Sequence, residues 1–153
     1  MSYLIRPVKA SDTTRVYAVE MECFPDPYPS EFIEVLIETK RGPFFVADED
    51  GKIVGYAVGT ASGRDVHVLS VAVNPGCRRR GIGTALLSAV SRRLVEEGVD
   101  DIHLEVRKGN GAAISFYERM GFRAFSEIRH YYRDGEDALV LKRLTASPSP
   151  SDG

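Results

Sequence analysis

Apolar positions along this chain recur with two periods, three to four residues in some stretches and two in others. The first marks amphipathic helices and the second half-buried strands. Tyr3 to Pro7 reads as a short first strand. Val16, Val19 and Phe24 form a helical stripe behind Ser11 or Asp12, either of which suits an N-cap. Pro25, Pro27 and Pro29 must end that helix, because proline lacks the N–H that would continue it. Ser30 then caps a second helix bearing Phe32, Ile33, Leu36 and Ile37. Phe44 to Asp48 and Lys52 to Ala61 read as strands joined at the Asp50-Gly51 turn. Asp65 to Val73 is a third long strand, closed by Asn74-Pro75-Gly76. Gly83 to Glu97 predicts a helix burying Leu86, Leu87, Val90, Leu94 and Val95, stopped at Gly98. Asp101 to Arg107 is a strand and Ala112 to Met120 a helix closed by Gly121. Phe122 to Tyr132 and Glu136 to Leu144 make a final hairpin around Asp134-Gly135. The order β-α-α-β-β-β-α-β-α-β-β predicts an α/β domain with a mixed sheet and helices on both faces.

Composition narrows the picture modestly. A chain of 153 residues suits one domain with one core. The formal net charge of −2 gives no global pull toward nucleic acid or anionic lipid, so neither is expected as a partner. No apolar run is long enough to span a bilayer, and the first residues lack a secretory pattern. Cys23 and Cys77 provide neither a disulfide framework nor a metal-ligand spacing. A cytoplasmic location is the default expectation. Thr145 to Gly153 carries no large apolar side chain and reads as a disordered tail, leaving residues 1–144 as the domain.

One segment carries most of the functional signal. Arg78-Arg79-Arg80-Gly81-Ile82-Gly83-Thr84 follows a strand and opens a helix. The first-turn N–H groups of a helix have no internal partner and can face an anion. Glycine at positions 81 and 83 lets the backbone approach phosphate oxygens, and the arginines add positive charge. No Gly-Lys-Ser/Thr follows, which excludes a Walker loop. The position after four strands argues against a dinucleotide fold. Arg78-x-x-Gly81-x-Gly83 resembles the acetyl-CoA signature of the GNAT acetyltransferase superfamily. Asn110-x-x-Ala113-x-x-Phe116-Tyr117-x-x-x-Gly121-Phe122 resembles that family's second block, in the right order and at the right separation. The resemblance covers Tyr3 to Leu144. It implies a mostly antiparallel sheet of about seven strands and acetyl-CoA as co-substrate. It also implies pantetheine contacts along Leu69 to Val71 and cofactor contacts from Asn110 and Tyr117.

Acetyl transfer to an amine needs a neutral amine, a polarised thioester carbonyl and a proton for the departing thiolate. The resemblance places Tyr117 beside the sulfur, as the proton donor; packing beside Phe116 is the plain alternative. Strand alternation puts His103, Glu105 and Arg107 on one face. Glu105 is either a salt-bridge partner of Arg107 or a neighbour, or the base. Leu104-Glu105-Val106-Arg107 resembles the RimI-type ribosomal-protein N-alpha-acetyltransferases, in which this glutamate is the base. His67 is a candidate proton relay or a structural hydrogen-bonding residue, whereas His103 and His130 read as surface positions. Three histidines scattered in sequence argue against zinc, and no metal is expected. Cys77 lacks an evident base for a covalent route.

The Phe24 to Pro29 segment resembles the Pro-Glu-x-Tyr loop of archaeal and eukaryotic N-terminal acetyltransferases, with Asp26 in place of glutamate and Tyr28 in place. Tyr131-Tyr132-x-Asp134-Gly135-Glu136-Asp137-Ala138 resembles their last hairpin, whose tyrosines contact the substrate backbone; cross-strand packing is the alternative. The resemblance implies acetylation of protein or peptide N-termini, with ribosomal proteins or nascent chains as partners. Acetylation of lysine or a small amine, or a non-catalytic acyl-CoA sensor, are the other readings.

Overall fold

A computed structural model describes residues 2–78, 80–99 and 101–144. The expected tail, Thr145 to Gly153, lies outside them. Seven strands and four helices follow one another as β1 (Leu4–Pro7), α1 (Thr13–Cys23), α2 (Ser30–Thr39), β2 (Phe44–Glu49), β3 (Lys52–Ser62) and β4 (Asp65–Val73), then α3 (Ile82–Glu96), β5 (Asp101–Arg107), α4 (Gly111–Arg119), β6 (Arg123–Ile128) and β7 (Ala138–Leu144). The order matches the sequence pattern. The strands form one sheet ordered β1-β2-β3-β4-β5-β7-β6. All neighbours are antiparallel except β4 and β5.

Two apolar layers cover the sheet. Ile82, Leu86, Leu87, Val90 and Leu94 of α3 are buried against Ala47, Val54, Val66, Val68, Ile102, Leu104 and Leu141. Each such side chain stabilises the fold by roughly 1.5–3 kcal/mol. Val16, Val19, Ile33, Leu36 and Ile37 of α1 and α2 cover the opposite face with Val46, Tyr56 and Val58. Val95 points outward, 53 % exposed, because the stripe of α3 drifts off the sheet before its last turn. Phe32 is half-exposed and stacks on Tyr28 at 5.0 Å instead of entering the core.

Local signals at the helix starts resolve differently from expectation. Neither Asp12 nor Ser30 caps its helix through its side chain. Asp12 is buried and turns back to accept from Arg6 Nη1 and Nη2 at 2.9 and 3.0 Å and from the Lys9 N–H at 2.8 Å. Arg6 Nε also reaches Asp48 at 3.1 Å. One guanidinium therefore pins the entry of α1 to β1 and β2. The last hairpin is also shorter than its pattern. β6 ends at Ile128, since His130 adopts a positive φ of 53° and donates its N–H to the Asp137 carboxylate at 2.9 Å. Tyr131 and Tyr132 consequently stand in a nine-residue loop, 129–137, between β6 and β7, not in a strand.

The Arg6 hydrogen bonds, opposed by burial and aided by the Lys9 N–H, hold the Asp12 carboxyl below its usual pKa. A carboxyl depressed on folding stabilises the protein above its unfolded value of about 3.9 and ceases to as pH falls through the folded one. Asp12→Asn is expected to cost about 2 kcal/mol near neutral pH. Urea unfolding across pH checks this: the gap to the parent protein should shrink below about pH 4, and a pH-independent gap would refute it.

Candidate active site

β4 and β5 are paired only where Asp65, Val66 and His67 meet Asp101, Ile102 and His103. Beyond those residues the strands diverge. The split is reinforced by a bulge in β4. Val58 pairs with Ser70 and Gly59 with Val68, so Leu69 has no opposite number in β3. A bulge frees backbone groups from the ladder and re-aims the side chains after it. Here it exchanges the two faces. Val66 and Val68 pack toward α3, whereas Ala72 packs toward α1. The divergence opens a cleft of about 690 Å³ lined from both sides of the sheet.

At one end of the cleft lies the loop between β4 and α3. Gly81 has φ 80°, a left-handed conformation that disfavours a side chain. The following Ile82, Gly83 and Thr84 form the first turn of α3, whose N–H groups have no acceptor four residues back. Arg78, Gly81, Ile82, Gly83 and Thr84 all line the cleft, as do Leu69 and Val71. A helix N-terminus with free N–H groups and an arginine at its mouth can take an anion. Arg80 is directed elsewhere: it pairs with Glu49 at 2.7 Å and lies over the Tyr3 ring. Arg80 is not among the residues lining the cleft. Arg79 lies outside the described residues. Asn110 lines the cleft, but its side-chain oxygen is engaged by the Ala113 N–H at 3.1 Å, capping α4.

Tyr117 and Glu105 both line the middle of the cleft. Tyr117 projects from α4, set by edge-on contacts with Phe116 and Phe122 at 5.1 and 5.7 Å. Burial raises the pKa of its phenol well above the ordinary value of about 10, so it carries its proton at neutral pH. Glu105 enters from β5. Its partner is not Arg107, which pairs instead with Asp134 and Glu136 at 2.8 and 2.9 Å. Glu105 Oε1 lies 2.5 Å from His67 Nε2 and accepts from the Tyr131 hydroxyl at 3.4 Å. Burial opposes ionisation of Glu105, but His67, the His103 charge and Tyr131 together outweigh it, and the net shift is downward. The carboxylate is thus ionised at neutral pH. His103 is not a bare surface residue: its ring stacks on His67 at 4.7 Å and its Nδ1 lies 3.2 Å from Asp65. His130 is exposed.

Beyond Glu105 the cleft opens between Asp26 and Tyr28 on one side and Tyr131 and Tyr132 on the other. Burial, with a smaller contribution from Tyr131, pushes the Tyr28 phenol up to about 12. Tyr132 packs under the Arg107 guanidinium at 4.1 Å and edge-on to Tyr131 at 5.0 Å. Cross-strand packing is excluded for both tyrosines, since neither lies in a strand.

The model of the Acetyltransferase (GNAT) family matches residues 13–122, which include the diphosphate loop, β5 and α4. The chain belongs to the GNAT acetyltransferase family. It is 35 % identical to an N-alpha-acetyltransferase of Sulfurisphaera tokodaii over 91 % of both chains. It is 31 % identical to the ribosomal protein bS18-alanine N-acetyltransferase of Escherichia coli, covering 90 % of this chain and 94 % of that one. The solved structure of Ard1 from Thermoplasma volcanium superposes with a TM-score of 0.90 at 29 % identity, over 96 % of this chain and all of that one.

One residue of this acetyltransferase escaped the sequence reading. Glu20 is 2 % exposed and faces the cleft from α1. It accepts from the Tyr28 N–H at 2.9 Å and from the Tyr56 hydroxyl, which itself meets Ser70 Oγ at 3.1 Å. Burial raises its pKa, moderated by Tyr28 and Ser70. A single carboxylate thus ties the proline-rich loop to β3 and to the residue after the β4 bulge. The signal was present: Val16, Val19 and Glu20 share one helical face, and a carboxylate there must have partners. Glu20→Ala strips the Tyr28 N–H of its acceptor and leaves the Tyr56 hydroxyl only Ser70, and is expected to cost about 2–4 kcal/mol. Hydrogen exchange at the Tyr28 amide should quicken more than the global loss of stability explains. Unchanged relative protection of that amide would refute the tether.

Proposed function

We propose that this enzyme transfers the acetyl group of acetyl-CoA to the α-amino group of protein or peptide N-termini by direct attack. The observation carrying the proposal is the pairing of Tyr117 and Glu105 across one cleft. A protonated phenol approaches from one face of the split sheet and an ionised carboxylate from the other. The named relatives, N-alpha-acetyltransferases among them, support the choice of acceptor.

The residues divide the work as follows. The α3 N-terminus, Gly81 and Arg78 hold the diphosphate of acetyl-CoA. Leu69 to Val71 bind the pantetheine arm, and the backbone N–H groups around the Leu69 bulge polarise the thioester carbonyl. The acceptor nitrogen attacks the carbonyl carbon and becomes strongly acidic as the new bond forms. Glu105 takes that proton directly or through one water, held in orientation by His67 and Tyr131. A modest carboxylate suffices because the proton leaves a nitrogen already bonded to carbon. The C–S bond breaks and Tyr117 protonates the departing sulfur. Tyr28 and Asp26 face Tyr131 and Tyr132 to form the walls that receive the chain end. Free chain ends, those of ribosomal proteins and nascent chains included, are the acceptors this reading implies.

Tyr117→Phe preserves the ring contacts and removes the proton. Turnover should fall about 10²-fold or more while acetyl-CoA affinity measured by calorimetry stays within a factor of about two. Parent-level turnover would remove Tyr117 from the mechanism.

Acceptor choice follows from proton affinity. An α-amine titrates at about 7.7–8.0 and lysine at about 10.4, so the neutral fraction at pH 7 is more than two orders of magnitude larger for the chain end. Glu105, its pKa shifted downward, has no means of deprotonating a lysine ammonium efficiently. A lysine-free peptide with a free N-terminus should be acetylated, and blocking its α-amine should abolish the reaction. Mass spectrometry showing preferential modification of internal lysine in a blocked peptide would overturn this reading in favour of a lysine acetyltransferase.

A further inference from the structure

His67 and His103 are far apart in sequence but directly opposed in the β4–β5 ladder. Both point to the same side of the sheet as Glu105, two residues further along β5. One ligand atom from each of the three lies within 4.8 Å of the others. Their side chains are 30 %, 24 % and 14 % exposed, so a dissolved ion can reach them. The rings lie face to face, 7° from parallel. The His103 Nδ1 faces the Asp65 carboxylate at 3.2 Å, which leaves Nε2 for another partner. Carboxylate-to-imidazole contacts of this kind orient metal-binding histidines and raise their basicity.

We propose that His67, His103 and Glu105 form a binding site for a divalent transition-metal ion, zinc in particular, and that the bound ion switches the enzyme off. Two imidazoles and one carboxylate are a donor set that zinc accepts with a fourth position left for water. A tetrahedral ion at about 2.0–2.2 Å from each donor needs ligand atoms about 3.3 Å apart. Small side-chain rotations supply that adjustment, widening the 2.5 Å His67–Glu105 pair and closing the longer gaps, because the strands already hold the three groups on one face. With Asp65 counted, two carboxylates balance the ion's charge in a half-buried setting, and imidazole donors favour zinc over magnesium or calcium. The argument from scattered histidines therefore fails in three dimensions: the short parallel ladder gathers two of them. Metal ligation replaces the His67 hydrogen bond to Glu105 and occupies the lone pair that takes the amine's proton. Neither histidine lines the cofactor cleft, so acetyl-CoA binding should persist. The inhibitory half of the proposal rests on Glu105 being the base; the site itself does not.

Chelator-treated full-length protein titrated with zinc chloride in a calorimeter should bind one ion per chain. His103→Gln should weaken that affinity at least tenfold, and the Cys23→Ser, Cys77→Ser double variant should retain it. Cobalt(II) added to the parent protein should show visible d–d bands without the intense near-ultraviolet band of a thiolate ligand. Zinc should depress peptide acetylation in the parent, and by a far smaller factor in His103→Gln relative to its own zinc-free rate. Equal zinc affinity in the parent and in folded His103→Gln, or a thiolate band with cobalt, would overturn the site. Stoichiometric zinc binding with undiminished turnover would leave the site standing and refute the inhibition, while turnover of zinc-free Glu105→Gln at the parent's rate would separately remove Glu105 as the base.

Discussion

The parting of β4 from β5 is the constraint on which the rest of this acetyltransferase depends. A parallel pair abandoned after three residues leaves backbone groups without ladder partners, which is costly unless something else engages them. The enzyme turns that deficit to use. The unpaired stretch of β4, with Leu69 bulged out of register, becomes one wall of the cleft. The same parting lets side chains from both faces of the sheet meet in one cleft, a geometry denied to an intact sheet. Tyr117 comes from the layer of α3 and α4, Glu105 and Tyr28 from the other side. A phenol and a carboxylate thus reach one cleft from opposite faces of the sheet.

Carboxylates hold the site together, and each is compensated differently. Asp12 is matched by a guanidinium and kept ionised. Glu20 has no cation among its described partners, only hydrogen-bond donors, and burial pushes it toward neutrality. Glu105 lies between these cases, with imidazole and phenol partners beside solvent, and stays ionised while half-buried. The gradient suits the tasks. Asp12 anchors a helix, Glu20 tethers a loop, and Glu105 faces the open cleft. His67 and His103 meet beside Glu105 through the ladder, so the groups that orient this carboxylate come from two strands at once.

Much of this was legible in the one-dimensional pattern, because it rests on local rules. The element order follows from residue periodicity, proline breaks and glycine stops, each acting within a few residues. The turn at Gly81 that opens α3 follows from its glycines, and the place of Tyr117 on α4 from the helix pattern around it. Glu105 was legible as an anomaly, a carboxylate on an interior strand. Glu20 was an anomaly of the same kind on α1, masked by the stronger apolar signal around it.

What only the tertiary structure decided concerns partners distant in sequence. Periodicity runs through Leu69 unbroken, yet the bulge there exchanges the faces of β4, since a register shift depends on the neighbouring strand. The partner of Glu105 is His67, 38 residues away, and not Arg107, because Arg107 is claimed by the loop after β6. Arg80 meets Glu49 only because β2 runs beside the loop before α3. His67 and His103 become neighbours only through the ladder. Sequence by itself determined which elements form and which chemistry the chain carries, because helix and strand preferences and loop conformations are local. The sheet order decided which groups meet, because hydrogen bonds, ion pairs and proton transfer act over a few ångströms of space whatever the separation along the chain.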